Sequence, residues 1–172
     1  VVRSLSNLAQ VLSLQDKHSE AEPVLRQALA LRKEQLGSEH PDLAMTQLSL
    51  ASVLRKQDKY EEAEQILRDI LAVGEEPLGM SFVLAIRGML ARTLSEQERH
   101  AEAEQIARES LALRREWLGA NHPEQYMDIV FLTEVLQNQD KLDEAAVFLQ
   151  SSLDLLKKKL GPQHPRVAGT ML

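Results

Sequence analysis

The chain has 172 residues, with 20 Lys and Arg against 26 Asp and Glu, a formal charge of −6, and no cysteine. Without thiols it has no disulfide framework, thiolate metal site or cysteine nucleophile, which fits a reducing, cytoplasmic setting. Charges of both signs are interspersed, which argues against the basic face that nucleic acid requires, and no apolar run reaches the roughly 18 residues of a membrane span.

Strong helix formers dominate the composition. Leu5, Leu8, Ala9 and Leu12 recur at helical spacing and mark a first helix, A. Asp16-Lys17-His18-Ser19 turns the chain, and Ser19-x-x-Glu22 reads as a capping box for a second helix, B. The buried stripe of B is Ala21, Leu25, Ala28 and Leu29, and Leu36-Gly37 ends it with glycine at the terminating position. After the connector 38–42, a second pair follows, with helices at about 42–57 and about 60–77, where Pro77 should kink or end the helix early. A third pair runs to about 119. It has Gly88 in its A helix, and Ala107 and Ser110 stand where the second pair has Leu67 and Ile70, which predicts the weakest packing of the series. The fourth pair, about 124–161, ends in Lys157-Lys158-Lys159, and residues 166–172 begin another A helix. The sequence shows no signal-peptide pattern and does not start with Met, so it is read as an excised or processed fragment.

The period is set by landmarks. Gly37, Gly79, Gly119 and Gly161 lie 42, 40 and 42 residues apart, as do Ala21, Ala63, Ala103 and Ala145, and Leu12, Leu54, Leu94 and Leu136. Leu-Gly-x-x-His-Pro occurs at Leu36–Pro41, Leu118–Pro123 and Leu160–Pro165, whereas Leu78-Gly79-Met80-Ser81 is shorter by two residues. A fixed period of this size denotes an array of stacked supersecondary units, since a single helix pair cannot bury its apolar face alone. Ala9, Ala51, Ala91 and Thr133 on the A helices, and Ala21, Ala63, Ala103 and Ala145 on the B helices, let paired helices approach closely.

Gln57-Asp58-Lys59-Tyr60-Glu61-Glu62-Ala63-Glu64, Ala21-Glu22-Pro23 and Leu118-Gly119-Ala120-Asn121-His122-Pro123 resemble tetratricopeptide repeats of the long, 42-residue kind found in kinesin light chains. The resemblance implies an all-α, right-handed α-solenoid of stacked antiparallel helix pairs. It would have four full repeats (about 1–41, 42–80, 81–123 and 124–165) and a partial fifth at 166–172. Kinesin light chains carry Asn-Leu-Ala in successive A helices, where the asparagines hold the backbone of a cargo peptide. Here Ser6-Asn7-Leu8-Ala9 matches, and Ser49, Met89 and Phe131 take the equivalent places.

No catalytic or metal site is expected. His40, His122 and His164 precede prolines one or more repeats apart. Stacked helices lie roughly 8–10 Å apart, too far for these histidines to share one ion, so they read as connectors. The acids Glu61, Glu62 and Glu64, and Glu102 and Glu104, read as solvated helix starts facing the dipole. No phosphate loop, nucleophile elbow or His-Glu-x-x-His is present, and no cofactor is expected.

The candidate site is a peptide-binding groove along the A helices, lined by Asn7, Gln10, Ser49, Ser52, Arg55, Met89, Arg92, Phe131, Glu134 and Asn138. Asn7, Gln10, Ser49 and Ser52 would form a polar half, and Met89 and Phe131 an apolar half. The expected function is a non-enzymatic protein-interaction module that holds a peptide or partner segment, with no nucleic acid or membrane partner. The alternative is a structural or sensor array within a larger STAND or NB-ARC-type receptor, contacting other domains of its parent chain or copies of itself.

Overall fold

A computed structural model describes residues 1–37, 40–120 and 122–161; the expected helix at 166–172 lies outside the described residues. The chain falls into two compact units, Val1–Thr93 and Leu94–Leu172, with the boundary inside one helix. Among the described residues there is no strand.

The first unit contains α1 (Val2–Leu14), α2 (His18–Leu36), a 3-10 turn at Pro41–Leu43, α3 (Ala44–Arg55), α4 (Tyr60–Ala72), the short α5 (Glu75–Leu78) and most of α6 (Met80–Glu96). Here α1 packs on α2, α2 on α3, and α3 on α4. The second unit contains α7 (His100–Leu118), α8 (Gln125–Gln137) and α9 (Leu142–Leu160), with α7 packed on α8 and α8 on α9. The alanines predicted to let helices approach are closed off: Ala21, Ala51, Ala63, Ala91 and Ala103 have no exposed surface, and Ala9, Ala145 and Thr133 almost none. Leu54, Leu67 and Ile70 fill the first unit's core, and Leu132 and Leu136 that of the second. Each such side chain contributes about 1.5–3 kcal/mol relative to exposure. Ala107 and Ser110 are also buried, and the Ser110 hydroxyl donates to Ile106 O at 2.7 Å, so the smaller residues of the third repeat sit in closed positions.

Each turn from helix A to helix B is made in the same way. Asp16, Asp58, Glu98 and Asp140 adopt φ of 57°, 59°, 61° and 58°. The residue after each donates its N–H back to the last turn of helix A, as Lys17 does to Leu12 O (2.9 Å) and Lys59 to Leu54 O (3.0 Å). This is a Schellman closure, in which the left-handed residue satisfies carbonyls the helix end leaves open. It also fixes where helix B begins. Lys17 precedes the first residue of α2 and no side chain caps it, so Ser19 lies inside the first turn and the expected capping box does not form.

The second B helix departs from the others. α4 stops at Ala72, whereas α2, α7 and α9 each run for 19 residues. Gly74, at φ 95°, stands where α2 has Arg32 and α7 has Arg114. Glycine costs about 1 kcal/mol against alanine inside a helix, so the break falls there and not at Pro77, which lies in the backbone of α5.

Candidate functional site

The residues predicted to line a groove are only partly brought together. In the first unit, Asn7, Gln10, Ser49, Ser52 and Met89 line one recess of about 440 Å³, together with Ser6, Ser13, Arg32, Met45 and Leu48. α1 supplies Asn7 and Gln10, α3 supplies Ser49 and Ser52, and α6 supplies Met89. The row exists because A helices repeat in register, so equivalent positions face the same way. Asn7, Gln10 and Ser49 are exposed, whereas Ser52 and Met89 are half-buried.

Two features of this recess were not expected. Met45 is 60% exposed at its edge, leaving an apolar side chain open to solvent. Ser6 Oγ is buried without a hydrogen-bond partner; by contrast, Ser13 Oγ and Ser49 Oγ bond back to Ala9 O (2.8 Å) and Met45 O (3.0 Å). A buried hydroxyl left unmatched costs about 1–3 kcal/mol. The exposure of Met45 has a sequence signal in the Arg3 at its repeat-equivalent place, since a position open to arginine faces water.

The other predicted residues lie elsewhere. Arg55 and Arg92, in the first unit, do not line the recess, and both are engaged in interactions of their own. Phe131 and Glu134, in the second unit, are half-buried and likewise engaged. Asn138 donates through Nδ2 to Ser95 Oγ at 2.8 Å, and that hydroxyl lies 3.2 Å from His100 Nδ1. A larger recess of about 580 Å³, lined by Lys33, His40, Gln47 and Asp69 among others, contains none of the predicted residues.

The histidines and acids have structural partners. His40 Nδ1 accepts the Asp42 N–H at 3.2 Å and His122 Nδ1 accepts the Glu124 N–H at 3.3 Å, so each imidazole caps the chain as it enters the next repeat. Glu64 and Glu104 are not solvated helix starts: their side chains are 12% and 15% exposed. The clearest arrangement surrounds Glu22. Its Oε2 accepts from Lys59 Nζ at 2.7 Å and Gln57 Nε2 at 2.9 Å, and its Oε1 accepts from Arg26 at 2.9 Å. Lys59 chiefly, helped by Arg26 and Gln57, holds this carboxyl at about 2. Arg26 also reaches Glu62 at 2.6 Å. The second unit repeats the motif around Glu104, with Lys141 at 2.6 Å, Gln139 at 2.9 Å and Arg108 at 2.8 Å, while Arg108 also reaches Glu144. Glu104 is held at about 2 for the same reason, Lys141 first. These acids join one helix pair to the next.

Among the described residues no cluster of three or more His, Asp or Glu could hold a metal, and no helix is long and apolar enough to cross a membrane. Helix pairs stacked through small residues and joined by closed turns define a helical-repeat scaffold. The chain belongs to the tetratricopeptide-repeat family: two models of that repeat match it, one over residues 1–76 and the other over 83–124 and 132–166. Repeats of this family are protein–protein interaction modules and typically non-enzymatic. No curated protein matches the sequence. Among solved structures, kinesin-light-chain-type tetratricopeptide-like repeats from Podosopora anserina superpose with a TM-score of 0.81 at 24% identity, covering 98% of this chain and 81% of that one. A variant of that protein gives 0.82 at the same identity and coverage. BtubC (BKLC) from P. vanneervenii gives 0.68 at 17% identity, covering 91% of this chain and 62% of its own. The all-α, kinesin-light-chain-like solenoid fold follows from these matches.

Proposed function

We propose that the recess of the first unit receives an extended peptide segment of a partner protein. The observation that carries this reading is a single recess in which the exposed polar side chains of Asn7, Gln10 and Ser49 stand beside Met45, an apolar side chain open to solvent. The exposed polar side chains would face the peptide backbone. Asn7, Gln10 and Ser52 would fix its register, and an apolar side chain would lie on Met45 and Met89. The second unit presents Phe131 and Glu134, which would bind on their own account.

Selection from a peptide library on the full chain, followed by affinity measurement with Asn7→Ala, Met89→Ala and Phe131→Ala, tests this. Met89→Ala should weaken the selected ligands by roughly thirtyfold, the scale of a hot-spot truncation. Phe131→Ala separates a contribution of the second unit from that of the recess. If Asn7→Ala and Met89→Ala fold and bind every selected ligand as tightly as the parent, the recess is not the site. The structural-array reading then takes precedence, and the exposed apolar face of α1 favours it.

A further inference from the structure

The Glu22 and Glu104 arrangements are two copies of one interface. In each, a Gln and a Lys on an A-to-B turn grip a glutamate on the preceding B helix, and an arginine four residues after that glutamate reaches an acid on the following B helix. The gripped glutamate follows a buried alanine both times, as Ala21-Glu22 and Ala103-Glu104. The incoming helix therefore reads Ala-Glu-x-x-x-Arg.

The same receiving groups stand at the start of the array. Gln15 and Lys17 occupy the places of Gln57 and Lys59, and Glu20 occupies that of Glu62. All three are exposed, and none has a side-chain partner among the described residues. Beside them, α1 leaves Leu8 48% and Val11 50% exposed, and Val1, just before it, is 91% exposed. Their equivalents one repeat later, Leu50, Val53 and Leu43, are 2%, 3% and 1% exposed. An apolar strip flanked by two donors and one acceptor is the receiving half of the interface.

We infer that this face of α1, with Gln15, Lys17 and Glu20, docks a further tetratricopeptide helix pair whose second helix carries Ala-Glu-x-x-x-Arg. The occupant is set by charge complementarity and by continuity with the interface that Gln57 and Lys59 make in the same unit. A second copy of this chain does not meet the requirement through its last helix. There Ala145 is followed by an exposed Ala146, and Gln150 replaces the arginine, so Lys17 and Glu20 would find no opposite charge.

The test places one extra helix pair ahead of the full chain at the natural period. One fusion carries a copy of residues 1–42, which brings Ala-Glu-x-x-x-Arg. The other carries a copy of the equivalent residues 125–166, which brings Ala-Ala-x-x-x-Gln in its place. The midpoint of thermal unfolding should rise by several degrees more in the first fusion than in the second. In the first fusion, Lys17→Glu should lower it by a few degrees, and Glu→Lys at the added glutamate should restore it; in the unfused chain Lys17→Glu should change little. Equal gains from both fusions, or a first fusion indifferent to Lys17→Glu, would overturn the inference. So would sedimentation showing that the unfused chain dimerises through α1, with Lys17→Glu dissolving the dimer.

Discussion

Lys59 Nζ donates to Glu22 Oε2 at 2.7 Å, joining the turn of one repeat to the second helix of the repeat before it. Thirty-seven residues separate the two, and the same separation joins Lys141 to Glu104 at 2.6 Å. The glutamate side chains are 14% and 15% exposed and the lysines 45% and 44%, so each pair is sheltered on its acidic side and still screened by water on its basic side.

The first prediction concerns acid. Each carboxyl is held at about 2 in the folded chain against an ordinary 4.5. A glutamate with a depressed value contributes stability that is complete above its unfolded value and is lost as pH falls through the folded one. The parent should therefore lose more stability between pH 4.5 and about 2 than the Glu22→Gln/Glu104→Gln variant, which should already be weaker at neutral pH. Urea unfolding across that range measures both, and parallel losses would refute the assignment.

A second prediction concerns the buried pair of Arg114 and Asp128, whose side chains are 8% and 1% exposed and lie 2.5 Å apart. Burial pushes the Asp128 carboxyl up and the Arg114 guanidinium opposes it. Removing Asp128 leaves the buried guanidinium only Glu124, 3.3 Å away and 48% exposed, so Asp128→Ala should cost up to about 3–5 kcal/mol. Replacing both, as Arg114→Met with Asp128→Leu, should recover most of that loss. Denaturant midpoints of the two variants decide it; a double variant as weak as the single would count against the pairing.

How much of this was legible in the sequence depends on distance along the chain. The helix pairs, the closely packed alanines and the terminating Gly37, Gly119 and Gly161 were readable, because periodicity and glycine report on neighbours a few residues away. The grip on Glu22 was not, because its partners lie 35 and 37 residues on. Its signal was present all the same in the recurring Gln-x-Lys of the turns set against the Ala-Glu of the preceding helix. Ser19 misled because Asp16 had already fixed the helix start. Of the predicted lining, equivalent positions correctly put Asn7, Ser49 and Met89 on one recess, but equivalence cannot show that Asn138 is held by Ser95.

The third prediction follows from the imidazole caps. His40→Ala removes the acceptor of the Asp42 N–H, and His122→Ala that of the Glu124 N–H. Both bonds are exposed, one on a 3-10 turn and the other ahead of α8, whose own N-cap is Glu124, so each loss should cost no more than about 1 kcal/mol. The two lie in different units, so the double variant should show the sum. Chemical denaturation of the three variants checks both magnitude and additivity.

Gly37 gives a fourth. Its φ is 87° and nothing lies within 4 Å of where a Cβ would stand, so Gly37→Ala meets backbone strain and no collision. The cost should be about 1–3 kcal/mol. Gly119, at φ 89° with equally open space, should respond in the same way. A thermal midpoint unchanged by either substitution would show that the connectors relax freely.

The non-helical joint at Gly79 lets the array tolerate its own irregular spacing. Deleting two residues inside a continuous helix rotates everything beyond the gap by about 200°, at roughly 100° per residue, and would turn the next apolar stripe towards water. The second repeat is two residues short, yet Val83, Leu84, Ile86 and Leu90 beyond the gap are all buried. The shortfall falls just after Gly79, at φ 81° between α5 and α6, where the chain is already out of helical phase, so no rotation is transmitted. Insertions at Gly79, between α5 and α6, should be the most readily accepted in the first unit.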